Sequence, residues 1–215
     1  MNATAVDKWS SGTSPFNVTW GKLMMWLFLV SDAFTFGALL ISYASIRAAA
    51  ETWPNPEEVF AAFPFTHAKI PLGFVSLMTF ILIASSVTMV LAVRAGALKD
   101  RQGVVKYLGL TIIGGLIFLS SQAWEWTHLI MEGMTISSNP WGPPQFGQFF
   151  FLITGFHGAH VLSGVLLNLI VLIKALNGDF DRSGSYQVVE NVGLYWHFVD
   201  LVWVFVFLAY YLISA

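Results

Sequence analysis

The sequence predicts an all-α integral membrane protein, a bundle of five transmembrane helices with its N-terminus cytoplasmic and its C-terminus outside. Three observations carry this expectation. Of 215 residues, 56% are hydrophobic and only 10% charged, too apolar a balance for an ordinary soluble domain. The apolar residues collect in five stretches, each long enough to cross a hydrocarbon core of roughly 30 Å as a helix of about 20 residues. None keeps a period-2 alternation, and all exceed the roughly 9–11 residues of a membrane strand, so helices are expected rather than a barrel. Composition also removes function classes. With no cysteine there is no disulfide scaffold, no thiol nucleophile and no thiolate-held iron–sulfur cluster. A net charge of -2 gives no general attraction to nucleic acid.

In chain order, residues 1–21 form a polar leader and 22–213 a single membrane domain. The first span lies near 22–46; it is too long for a signal-peptide core and lacks a small-x-small cleavage site, so it stays as an anchor. The connection after it contains Pro54 and Pro56, which restrict the preceding backbone and predict an ordered loop or a short surface helix. Spans near 72–93 and 104–129 follow. Next comes "MEGMTISSNPWGPPQFGQ", an anchored turn in which Trp141, with Trp126 upstream, can settle at headgroup level. The last two spans lie near 148–173 and 192–213. Orientation follows from the cations: Lys8, Lys22, Arg94, Lys99, Arg101, Lys106, Lys174 and Arg182 fall on one side, against Arg47 and Lys69 on the other. The richer side is expected to face the cytoplasm.

Polar groups inside these spans need an explanation, because lipid penalises them. They occur in "SDAF", "WEWTH", "GFHGAH" and "YWHFVD". Glu125 and His128, His157 and His160, and His197 and Asp200 are each three residues apart, so each pair can share one helix face. Asp32 has no ionic neighbour in sequence and needs a partner from another helix, a backbone group or water. Three explanations stand: polar contacts within the bundle or to a partner or lipid headgroup, which are favoured; a transport pathway; and a metal or haem site. A haem would require His157 or His160 to face His128 or His197 across helices. Zinc-protease, nucleotide-binding and serine-elbow motifs are absent from the sequence. Small residues suit close packing: Gly155 and Gly158 thin one region of the fourth helix, while His157, His160 and Gly164 can share another. Trp196, Asp200 and Trp203 follow i, i+4, i+7, a stripe in which the indoles could cover a polar contact from lipid.

Four stretches together resemble a known family. "FFFLITGFHGAHVLSGVLLNLI" is similar to the penultimate helix, and "ENVGLYWHFVDLVWVFVFLAYYL" to the last helix, of subunit III of the haem-copper respiratory oxidases, which comprise cytochrome c and quinol oxidases. "WLFLVSDAFTFG" resembles the helix that carries an acid after serine, here Asp32 where many relatives have Glu. "SSQAWEWTHL" resembles a helix with a Gln-Ala and acidic-aromatic pattern, placing weight on Gln122, Glu125 and Trp126. The resemblance covers nearly the whole membrane portion and matches the short form, without the additional N-terminal helix pair of longer relatives. It implies a non-catalytic accessory subunit of an oxidoreductase complex in a bacterial cytoplasmic (inner) membrane. Such a chain binds no haem or copper of its own; those centres belong to partner subunits. It packs on catalytic subunit I beside other respiratory subunits and phospholipids, and supports assembly, turnover stability and proton uptake. Asp32 is then the proton-uptake candidate. Gln122, Glu125, Trp126, His128, Trp196, His197, Asp200 and Trp203 are structural or subunit-contact candidates. Gly155, His157, Gly158, His160 and Gly164 are candidates for lipid or helix packing. Structural phospholipid is expected on the bundle, although the complete lipid cleft of longer relatives needs the missing helix pair. The alternatives are an accessory subunit of a nitric-oxide reductase, a self-contained haem-binding electron carrier, and a small transporter.

Overall fold

The computed structural model of the chain describes residues 18–64 and 71–213. The leader up to residue 17, with Lys8, and Lys69 lie outside the described residues. Among those described there is no strand, and five helices are long and apolar enough to cross a membrane. They are α1 (Trp20–Ala49), α3 (Gly73–Ala97), α4 (Arg101–Met131), α5 (Pro144–Leu176) and α7 (Gln187–Phe207), the last running on into a π-helical turn, Leu208–Leu212. Two short helices, α2 (Pro56–Val59) and α6 (Asp179–Ser183), lie in connections.

Four of the five long helices begin before their predicted spans, where polar residues open the first turn, whereas α3 begins at Gly73, one residue inside its own. Asp100 accepts the Gly103 N–H at 3.1 Å and starts α4, satisfying one of the donors a helix N-terminus leaves open. Pro144 occupies the first position of α5, where its fixed φ suits a helix and its missing N–H costs nothing. The α5 C-terminus is closed from another helix: Arg101 Nε donates to Ala175 O at 2.7 Å, and Arg101 Nη2 donates to Leu176 O. In the first long connection, Asn55 caps α2 by accepting the Glu57 N–H at 3.1 Å, and Val59 and Phe60 are buried. That segment is therefore tucked against the bundle.

Helices α3, α4, α5 and α7 form a ring in that order, α7 closing back on α3, and α1 lies outside it against α7 and α5. The ring is filled by Trp196 and Trp203 from α7, both fully buried. Trp196 lies in a slot where α4 and α5 have bare backbone: a Cβ on Gly115 would come within 2.7 Å of its Cη2, and one on Gly164 within 2.8 Å of its Cε3. In lipid, where hydrophobicity gives helices little preference for each other, such close approach supplies the dispersion contact that holds them.

Candidate functional site

Three polar nodes lie within the bundle, each joining helices that are far apart in sequence. The first joins α1 and α5. Asp32 is buried at 8% exposure, and its Oδ2 lies 3.3 Å from His160 Nε2, within ion-pair range but without a hydrogen-bond alignment. His160 Nδ1 is 2.7 Å from Phe156 O. A carbonyl can only accept, so Nδ1 carries a proton and Nε2 is the nitrogen left to exchange one with Asp32. Beside it, Tyr195 of α7 and Ser163 of α5 share a hydroxyl hydrogen bond of 2.5 Å, and the Tyr195 hydroxyl also lies 3.2 Å from His160 O. The partner that Asp32 needed thus comes from another helix.

The second node joins α4 to the end of α7. Glu125 Oε2 accepts from Gln122 Nε2 and from the Tyr211 hydroxyl, both at 3.0 Å. Glu125 and Gln122 are buried. The π turn positions Tyr211: an i→i+5 turn winds less per residue than an α turn, so Tyr211 comes round toward the Trp203 line, its ring 6.3 Å from that indole. Tyr210, also buried, stacks on Tyr43 of α1 at 4.1 Å. The expected Glu125–His128 pair does not form. His128 instead lies 3.6 Å from Glu132 and stacks on Trp124 at 5.3 Å, because Glu125 points into the bundle while His128 stays half-buried at its edge.

The third node lies on the α3–α7 seam. Ser86 Oγ and His197 Nδ1 are 2.7 Å apart, and Asp200 sits one turn further along α7 with Oδ1 lacking any hydrogen-bond partner. All three residues are half-buried. The indoles do not cover this pair, contrary to the i, i+4, i+7 expectation. Trp196 Nε1 donates inward to Ser85 Oγ at 3.2 Å, and Trp203 Nε1 to Thr79 Oγ1 at 3.0 Å; indole N–H groups need an acceptor when buried, and α3 supplies it.

Two further expectations change. His157 is 1% exposed, stacked on Trp203 at 5.1 Å with Phe118 edge-on at 5.9 Å, so it is closed to lipid headgroups. Gly155 does admit Trp126, whose Cη2 would meet an added Cβ at 2.9 Å, but Gly158 faces open space. Trp126 is held by a hydrogen bond to Thr154 at 3.1 Å. Among the described residues no group of three His, Asp or Glu side chains could hold a metal ion. Ser86, Ser163, Tyr195 and Tyr211 went unmarked in the sequence, since an isolated hydroxyl in an apolar run reads as filler until a facing helix supplies its partner.

The family model for Cytochrome c oxidase subunit III matches residues 6–215. A cytochrome c oxidase subunit 3 of Corynebacterium diphtheriae is 42% identical over 148 residues, covering 69% of this chain and 68% of the relative. One from Synechocystis is 35% identical over 188 residues, covering 87% and 73%. A "Probable quinol oxidase subunit 3" of Staphylococcus haemolyticus is 29% identical over 196 residues, covering 90% and 89%. A family match running from residue 6 to residue 215 spans all five long helices and all three polar nodes: the chain belongs to the cytochrome c oxidase subunit III family.

Proposed function

We propose that the chain is a non-catalytic accessory subunit of an oxygen-reducing, proton-translocating haem-copper oxidase in a bacterial cytoplasmic membrane. There it packs on catalytic subunit I, supports assembly and durable turnover, and helps proton uptake. The observation that carries this assignment is the family match over residues 6–215. The filled interior supports it: between Gly115 and Gly164 the ring is closed by Trp196, which suits a scaffold better than a transport path. Haem and copper are assigned to the partner subunits. The end bearing Lys22, Arg94, Lys99, Arg101, Lys106, Lys174 and Arg182 is assigned to the cytoplasm by the excess of cations there.

The proton-uptake role is assigned to Asp32 and His160. With Nδ1 committed to Phe156 O, one mobile proton resides either on the Asp32 carboxyl or on His160 Nε2, and a 3.3 Å separation allows it to pass between them with small ring motion. The test is purification of the assembled complex from membranes expressing the intact set of subunits. The chain should copurify with the catalytic subunit, and oxidase lacking it should lose activity sooner during turnover. A chain that does not copurify, or whose removal leaves turnover lifetime and proton uptake unchanged, would overturn the assignment.

A further inference from the structure

At the end of α1 far from the cation-rich face, two opposite charges border one groove without pairing. The groove, about 460 Å³, opens between α1 and the π turn, and Arg47 and Glu51 line it together with Tyr43, Trp53, Ala44 and Ala209. The two alanines leave space that longer side chains would fill. The aromatic wall is fixed in place: Tyr43 is buried and stacked on Tyr210, and Trp53 Nε1 donates to the Tyr43 hydroxyl at 3.4 Å. Two other open grooves, of about 840 and 490 Å³, carry no charged side chain, so charge sets this one apart. Its depth is set by α1, whose 30 residues extend about 45 Å at 1.5 Å each, enough to cross a hydrocarbon core and both headgroup layers. Arg47 is in the last turn of α1 and Glu51 two residues past its end, which puts both at the level of lipid headgroups. Leu40, seven residues before Arg47, lines the same groove and carries it about 10 Å toward the acyl chains. A last-turn arginine alone could be explained by the carbonyls that a helix C-terminus leaves open. Glu51 has no such explanation, because the helix dipole disfavours a carboxylate at that end. Among the described residues neither Arg47 nor Glu51 enters an ion pair.

We infer that the groove between α1 and the π turn holds one phospholipid with a phosphoethanolamine headgroup, its phosphate on Arg47 and its ammonium on Glu51. Charge complementarity selects this occupant. The guanidinium fork matches phosphate oxygens, and the Glu51 carboxylate, an acceptor only, takes hydrogen bonds from ammonium protons. A choline headgroup has no such protons to donate, and a glycerol headgroup has no positive charge to set against Glu51. One acyl chain lies along Ala44 toward Leu40. The inference goes beyond the accessory-subunit assignment and needs only that α1 crosses the membrane.

The test is native mass spectrometry of the purified full chain, delipidated in mild detergent and offered dioleoyl phospholipids with ethanolamine, choline or glycerol headgroups in equal amounts. Wild type should retain one molecule of the ethanolamine lipid, preferred over the other two by roughly three- to tenfold, as one charge-assisted hydrogen bond would give. Arg47→Gln should lower retention of all three lipids by a similar factor. Glu51→Gln should keep binding and lose the preference. Ala44→Trp, at an exposed position, should block the groove with both charges still in place. All three variants should keep wild-type helix content in lipid-free micelles; if Arg47→Gln does not fold, Glu51→Gln and Ala44→Trp decide. Equal retention by wild type and Arg47→Gln, a preference that survives Glu51→Gln, or undiminished binding to Ala44→Trp would each overturn the inference. So would several lipids bound without headgroup preference, the mark of a boundary shell. In the assembled complex, a benzophenone amino acid at Ala48, which also lines the groove, should cross-link to phospholipid; a cross-link to another subunit would show that protein covers the groove and overturn the inference. Copurification with the catalytic subunit is read separately, so the accessory assignment stands or falls on its own result.

Discussion

Replacing Gly164 with alanine should unfold the bundle more easily, and Trp196 is the reason. The new Cβ would lie 2.8 Å from Trp196 Cε3 and 2.9 Å from Cζ3, well inside ordinary van der Waals contact. The indole has little room to retreat, since its far edge already rests against the bare backbone of Gly115 and its Nε1 is tied to Ser85. Overpacking a tight core costs roughly 1–3 kcal/mol. Tilting the ring away would forfeit the Ser85 hydrogen bond, about 0.5–1.5 kcal/mol. Alanine returns roughly 0.5–1 kcal/mol through its better helix propensity, so a net loss of about 2 kcal/mol is expected. Gly158→Ala, two turns away on the same helix, meets nothing within 4 Å and should be neutral or slightly stabilising. The assay is unfolding of the purified chain in mixed detergent–SDS micelles followed by far-UV circular dichroism, each glycine variant measured in the wild-type and Trp196→Phe backgrounds. The smaller phenyl ring should absorb most of the Gly164→Ala penalty, a coupling that a double-mutant cycle reads directly. A Gly164→Ala chain as stable as Gly158→Ala, or an equal loss in both backgrounds, would refute the slot.

Other outcomes follow from the polar nodes. Tyr211→Phe should destabilise the isolated chain by about 1–3 kcal/mol by withdrawing a donor from a buried carboxyl. Its effect should be strongly non-additive with Glu125→Leu; additivity in the same unfolding assay would show that the Tyr211–Glu125 contact carries no energy. Asp32→Asn preserves shape but cannot release a proton, so assembled oxidase should form normally and lose proton pumping or turnover lifetime; wild-type behaviour across a pH series would remove Asp32 from proton uptake. At the cation-rich end, burial and then the Asp181 carboxylate that its hydroxyl hydrogen-bonds push the Tyr186 phenol up to about 12. Because the unfolded phenol releases its proton near pH 10, the unfolded chain binds fewer protons than the folded one between about pH 10 and 12, and stability should fall as pH rises through that window. Tyr186→Phe should flatten this part of an alkaline unfolding curve.

Helix number was readable from hydropathy alone, since bilayer thickness sets a length that five stretches meet. Their ends were not, because polar first turns such as Asp100–Gly103 and Gln187–Asn191 carry no hydropathy signal. The site residues divide in the same way. The resemblance placed weight on both Gln122 and Glu125, and they are hydrogen-bonded to each other at 3.0 Å. Local spacing paired Glu125 with His128 and drew Trp196 over Asp200, both wrongly, because spacing restricts which helix face a side chain shares without saying what faces it. The deciding partners are remote: Ser86 is 111 residues from His197, and Tyr211 is 86 from Glu125. Only ring order brings them together, and no periodicity encodes it.

The π-helical turn at Leu208–Leu212 makes chain length here a matter of phase. Relaxing the ladder to α pitch with all five residues kept would wind each of them further than the π turn does and carry Tyr210 and Tyr211 progressively round the helix. Tyr210 and Tyr211 would leave Tyr43 and Glu125 together, although neither tyrosine had been changed. A single-residue gap drawn through this turn when relatives are compared is therefore a structural statement, the loss of the π turn itself, and its placement by one position decides which aromatic is matched to which.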